Sequence, residues 1–243
     1  MHRTPSTKVT ASPIRLELAG GLAAVIVSSL LLQAWLMVAP TVLAVSILVY
    51  VVMAALVYRF WTPDGEFGWA NRITLARAVL VAALGGVLVA PEIIQRHGVV
   101  LAALALLVIV LDGLDGWVAR TVDSESRFGA RFDMEVDALL IMFLCIAVVL
   151  AERAGAWVLA IGGIRYAFMA AGWLWPWLQR KLPPSRWRKY ICVVQGVVLT
   201  VALLPWAPGK LVKIALAVSL AALVHSFGRD TLWLWRHRAL EHR

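Results

Sequence analysis

An all-α, polytopic transmembrane helical bundle is the fold class this sequence predicts, and three observations predict it. The chain is 62% hydrophobic and only 15% charged, far from the usual make-up of a soluble domain. Its apolar residues fall into eight stretches near the ~20 residues that a bilayer-crossing helix needs. Its basic residues fall almost entirely on alternate connections between those stretches, as membrane topology requires.

The eight predicted spans run over 17–38, 41–58, 70–90, 98–119, 130–151, 155–175, 189–206 and 210–228. Each begins or ends at proline, glycine or charge, the punctuation expected of helix ends. The first follows Arg3, Lys8 and Arg15. It is too long for a signal-peptide core and no convincing cleavage site follows it, so it reads as a retained span. With the N-terminus cytoplasmic, seventeen of the 23 lysines and arginines lie on inside segments, against Arg96, Arg153, Lys210 and Lys213 outside. Both termini are therefore expected in the cytoplasm. Trp61, Trp69, Trp117, Trp173, Trp175 and Trp177 fall near the inner interface, and Trp35, Trp157 and Trp206 near the outer one, an interfacial belt. In such a chain the net charge of +9 faces lipid headgroups and sets topology, and no nucleic-acid partner is expected. Cys145 and Cys192 lie inside apolar runs and read as small buried hydrophobes, with no disulfide or metal role. The polar segments that remain are residues 1–16, the loop over 175–188 and a basic tail over 229–243.

Four aspartates break the apolar pattern. Asp112, Asp115, Asp133 and Asp137 lie at the facing ends of the fourth and fifth spans, where an unpaired carboxylate costs several kcal/mol. Spacings of three and four put each pair on one helix face, and a short connection lets the two faces meet. Converging carboxylates repel unless cations lie between them. An all-oxygen ligand set without His or Cys favours hard ions, Mg2+ or Mn2+. Two such ions form a known clamp for displacement at phosphorus. Gly113, Gly116 and Ala119 remove bulk beside the carboxylates, Gly129 does so at the start of the next helix, and Arg120 is a fixed cation suited to phosphate. The residues alone leave two other readings open: helix packing with aspartates paired to arginines, and an ion path for divalent cations or protons.

Written out, Asp112-Gly-Leu-Asp115-Gly116-Trp-Val-Ala119-Arg120, eight residues, then Gly129-Ala-Arg-Phe-Asp133-Met-Glu-Val-Asp137 resembles the signature of the class I CDP-alcohol phosphotransferase (CDP-alcohol phosphatidyltransferase) family. All eight fixed positions are met over twenty-six residues. Asn71-Arg-Ile-Thr74-Leu-Ala-Arg77 is similar to the segment that opens the family's first core helix. The resemblance covers a six-helix core over 70–228 and leaves an additional pair of helices within 17–58.

The resemblance implies that Asp112, Asp115, Asp133 and Asp137 bind two divalent cations, with Asp137 also taking the proton of the acceptor hydroxyl. Asn71, Thr74, Arg77, Gly116, Ala119, Arg120 and Gly129 would hold the CDP portion of a CDP-diacylglycerol-like lipid donor. It also implies CMP as leaving group and a homodimer; the bias of lysine and arginine puts the site on the cytoplasmic side, and a bacterial inner membrane is the expected location. Glu135, two residues from each flanking aspartate, turns to another face and receives no role. Asp123, Glu125 and Arg127 read as a solvated connection.

For the small alcohol acceptor, Arg165 is the candidate, because a lone guanidinium near the middle of a span calls for an anionic partner. Arg186, Arg188 and Lys189 lead into the seventh span and, with Arg165, suit an acceptor phosphate such as that of glycerol 3-phosphate. Basic charge that merely sets topology explains the latter three equally well. Tyr166 departs from the acidic residue that follows the arginine in several relatives, which leaves inositol phosphate, serine and phosphatidylglycerol as further acceptors. Gln195 and His225 are placed by helical spacing where they could reach the cavity.

Overall fold

The computed structural model describes residues 14–37, 39–60, 67–121, 127–180 and 186–237, and for 115–121, 127, 186 and 189 it describes the backbone only. Among the described residues the chain is helical throughout, without strands. The helices are α1 (Ile14–Leu36), α2 (Pro40–Phe60), α3 (Gly68–Val87), α4 (Pro91–Arg96), α5 (Gly98–Thr121), α6 (Arg127–Leu150), α7 (Leu159–Leu174), α8 (Arg186–Ala202) and α9 (Gly209–Arg236), with 3-10 turns at Ala156–Val158 and Pro176–Gln179.

Among the described residues, five helical segments are long and apolar enough to cross a membrane: Ile14–Leu36, Pro40–Phe60, Trp69–Val87, Ala156–Leu174 and Gly209–Arg236. Gly98–Leu114 and Tyr190–Ala202 are shorter apolar helices. Large apolar side chains such as Leu31, Trp35, Leu48, Trp173 and Val218 face outward, as lipid-facing side chains do in a bundle that has hydrocarbon for solvent.

Several element ends differ from the sequence expectation, among them α8, expected over 189–206 and found over Arg186–Ala202; two of the differences have a plain physical reason. The third span was expected to reach residue 90, but α3 stops at Val87 and a short α4 follows, opened by Pro91 in its first turn. Proline fixes φ and needs no N–H partner there, so it starts a helix and cannot continue the preceding one. The last helix was expected to end at residue 228 with its apolar run, yet α9 continues to Arg236. Asp230 and Leu234 are both buried, so packing and charge pairing extend the helix beyond the apolar stretch.

The centre of the bundle is α3, which packs against α1, α2, α5 and α6. Ala78, Val81, Ala82, Ala83 and Leu84 are essentially inaccessible. Small residues let the neighbours approach closely. A Cβ on Gly86 would lie 2.0 Å from Ser46 Oγ and 2.5 Å from the Val42 carbonyl oxygen, so glycine is what allows α2 to lie against α3. A Cβ on Gly21 would lie 2.0 Å from the Tyr50 hydroxyl, which donates to the Leu18 carbonyl at 2.8 Å. Glu17 completes the seam by pairing with Arg72 at 2.7 Å. The two N-terminal helices thus pack onto the helix that carries Asn71, Thr74 and Arg77.

At the opposite end of the bundle, Arg153 donates to the carbonyls of Ala202, Leu204 and Ala207 at 3.0, 3.1 and 2.5 Å. These are carbonyls at and just past the end of α8, which lack helical donors. Arg153 therefore fixes the α8–α9 connection, and with it the register of α8 beside α5 and α6.

Candidate active site

Three helices build the site. In α3, Asn71, Thr74 and Arg77 recur at spacing three and are all buried. The Asn71 amide donates to the Phe67 carbonyl at 2.6 Å and the Thr74 hydroxyl to the Ala70 carbonyl at 3.1 Å. Both bonds reach back one helical turn and lock the rotamers on the face that leads to Arg77.

Arg77 is fully buried, and its guanidinium stands among the aspartates. One terminal nitrogen donates to Asp133 Oδ1 and lies 3.0 Å from Asp112 Oδ1; the other donates to Asp137 Oδ1. The planar fork is suited to such a task, presenting several donors at fixed angles to carboxylates from different directions. The sequence reading placed Arg77 in the same cavity near a diphosphate; its first contacts are instead the carboxylates themselves.

Asp112 projects from α5 and Asp133 and Asp137 from α6. One ligand oxygen from each lies within 4.8 Å of the others. Their side chains remain 23%, 34% and 38% exposed, so the cluster faces an accessible space on the side away from α3. The residues beside it leave room: nothing lies within 4 Å of a Cβ built on Gly113. Gly129 lies in the first turn of α6, four residues before Asp133. The side chains of Asp115, Ala119 and Arg120, with Gly116, lie outside the described residues.

As a donor set, three converging carboxylates fit a hard divalent cation. One guanidinium offsets only one of their three negative charges, and oxygen is the ligand type such ions prefer.

The acceptor-side residues are distributed differently. Arg165 of α7 donates to Glu135 of α6 at 2.7 Å. Arg188 of α8 lies 3.1 Å from Asp230 of α9, and Arg180 donates to the His237 carbonyl at 2.6 Å. Arg165 and Arg188 therefore already carry an internal carboxylate each. The side chains of Arg186 and Lys189 lie outside the described residues. Glu135, set aside at the sequence level because it leaves the aspartate face, turns to α7 and finds the arginine there. Asp230 was missed because it lies beyond the last apolar run; a carboxylate among the basic residues at that end was its only signal. His225 is exposed and lines a shallow groove with Trp157, Leu220 and Val224 on the flank of α9, which corrects the expectation that it could reach the cavity. Gln195 is 3% exposed on α8, which packs against both α5 and α6.

Compared with known proteins, the family model for CDP-alcohol phosphatidyltransferase matches residues 67–226. The match begins one residue before α3, contains the aspartate cluster and leaves α1 and α2 outside it. No curated protein and no solved structure matches the chain.

Proposed function

Since the chain belongs to the CDP-alcohol phosphatidyltransferase family and is a transferase of substituted phosphate groups, we propose that it makes phospholipid by moving a phosphatidyl group from CDP-diacylglycerol to glycerol 3-phosphate, releasing CMP. One observation carries the reading at this site: carboxylates of α5 and α6 converge to within 4.8 Å beside an accessible space.

Two divalent cations, Mg2+ or Mn2+, would be held by Asp112, Asp115, Asp133 and Asp137, and when bound they supply charge neutralisation and polarisation of the phosphoryl oxygens. The chain's own residues divide the remaining work. Asn71, Thr74, Gly116, Ala119, Arg120 and Gly129 hold the CDP portion, with glycines and alanine admitting the diphosphate close to backbone. Arg77 engages Asp137 through Oδ1, and we assign proton acceptance from the alcohol to Oδ2. The alcohol oxygen forms a bond to the lipid-bearing phosphorus as the bond from that phosphorus to the bridging oxygen breaks. CMP leaves with that oxygen and the alcohol proton passes to Asp137.

Glycerol 3-phosphate is favoured because Arg165, Arg186, Arg188 and Lys189 suit an acceptor phosphate. The pairing of Arg165 with Glu135 and of Arg188 with Asp230 supports a second reading, in which serine or phosphatidylglycerol, neither needing a monoester phosphate site, is the acceptor; inositol phosphate completes the set. The enzyme is further proposed to cross an inner membrane eight times, with both termini and the site cytoplasmic, and to act as a homodimer.

Purified protein incubated with CDP-diacylglycerol, Mg2+ or Mn2+ and each acceptor in turn tests the reading. Acceptor-dependent CMP release with a phosphatidyl product is expected. Cation flux into vesicles without nucleotide, and no CMP with any acceptor, would instead mark a transporter.

A further inference from the structure

Gln195 is the buried polar group on α8 that the bundle itself does not explain. Its side chain is 3% exposed, and its amide nitrogen has no hydrogen-bond partner among the described residues. A buried amide donor left unmade costs about 1–3 kcal/mol, which leucine at the same place would not incur.

Its position follows from its neighbours. A Cβ on the adjacent Gly196 would lie 3.1 Å from the Ile109 side chain and 3.7 Å from that of Ile141. Ile109 is one turn from Asp112 on α5, and Ile141 one turn from Asp137 on α6. The backbone of α8 here therefore passes about one turn deeper in the bundle than the carboxylates. Helical side chains lean back over the turn that precedes them, so the Gln195 amide is carried toward the level of Cys192. That residue is exposed and lies within electrostatic reach of Asp137, Arg165 and Asp112. The amide nitrogen, itself without surface open to solvent, thus lies just inward of the accessible space, on the side where Cys192 meets the field of Asp137 and Arg165.

We propose that Gln195 is a substrate-binding residue of this cavity, whose carboxamide N–H donates to an oxygen of the acceptor alcohol and holds its hydroxyl beside Asp137. The inference rests on the phosphatidyl-transfer reading above and adds the residue that orients the acceptor. Metal ligands neutralise and arginines attract; neither fixes the direction of a hydroxyl, which a neutral, directional donor does.

Gln195→Leu tests this, with Gln195→Met as a second variant of closer shape. Donor and acceptor KM are measured separately by CMP release, and thermal unfolding is followed in the same detergent. The expected result is a melting temperature unchanged or raised, a donor KM within about twofold of the parent, and an acceptor KM raised about ten- to a hundredfold. An unchanged acceptor KM, an equal rise in both KM values, or a rise in donor KM alone would overturn the assignment. So would a fall in melting temperature in both variants, which would show that the amide is satisfied within the protein. The parent's own CMP release separates the two failures. A parent that turns over with variants that match it sinks Gln195 alone, and a parent inactive with every acceptor sinks both readings.

Discussion

Replacing Arg77 with alanine should turn the bundle into a protein that depends on divalent cations for its stability. The guanidinium is fully buried and pairs with Asp112, Asp133 and Asp137. Its loss leaves three carboxylates within 4.8 Å of one another with no described cation among them. Breaking a buried ion pair by deleting one partner costs about 3–5 kcal/mol. Here the partners keep 23–38% exposure, and solvent screens part of the repulsion, so about 3 kcal/mol is the reasonable magnitude. For a chain of this size that corresponds to a melting temperature lower by about 6–12 °C. The assay is thermal unfolding of purified parent and variant in chelator, repeated with millimolar Mg2+. In chelator the variant should melt lower by that amount. With Mg2+ it should gain more than the parent, because a site with one less positive charge binds the cation more tightly. An Arg77→Lys variant should fall between the two, since an ammonium keeps the charge and loses the fork. Equal melting in chelator, or an equal Mg2+ gain in parent and Arg77→Ala, would refute the role assigned to this residue.

Other changes read out other parts of the structure. Asp112→Asn, Asp133→Asn and Asp137→Asn should each lower CMP release by about a hundred- to a thousandfold, the scale of losing one group that stabilises charge in the transition state, with little change in melting temperature; near-parental turnover in any one would remove that residue from the site. Glu135→Gln releases Arg165 from its partner at 2.7 Å, so the KM for a phosphorylated acceptor should fall by about three- to tenfold; a shift of that size for serine instead would place Arg165 elsewhere. Gly86→Val sets a side chain where 2.0 Å separates a Cβ from Ser46 Oγ, and should lower stability by about 1–3 kcal/mol or more through overpacking. Thermal unfolding checks this, and an unchanged melting temperature would show that the α2–α3 seam yields freely.

How much of this was legible in the sequence depends on which physical signal each feature leaves. Among the described residues, each predicted apolar stretch falls on a helix, five of them long and apolar enough to cross a membrane, because backbone in hydrocarbon has few alternatives to helix. The shared faces of Asp112, Asp133 and Asp137 followed from spacings of three and four, and the structure brings these side chains together. The pairing of Arg77 with them was not legible. Spacing puts Arg77 on the face of Asn71 and Thr74, but which residues of other helices it meets depends on how α3 is rotated. That rotation is fixed by close contacts such as Gly86 against Ser46, and they have no local signature. The partners of Arg165 and Arg188 were hidden for a related reason. Glu135 could be excluded from the aspartate face by periodicity, yet periodicity does not name the helix that covers its own face. Asp230 lies where apolar length stops reporting on helix continuation.

The most direct test of a metal-bearing carboxylate cluster acting on a diphosphate is paramagnetic relaxation of the donor's phosphorus nuclei by Mn2+ in the purified protein. Both CDP-diacylglycerol phosphorus signals should relax strongly in the complex of protein, Mn2+ and lipid, and Asp133→Asn, which loses a ligand oxygen beside Arg77, should abolish most of the effect. Phosphorus relaxation that is the same with Asp133→Asn as with the parent, while both bind the lipid, would place the cation away from these aspartates and contradict the mechanism.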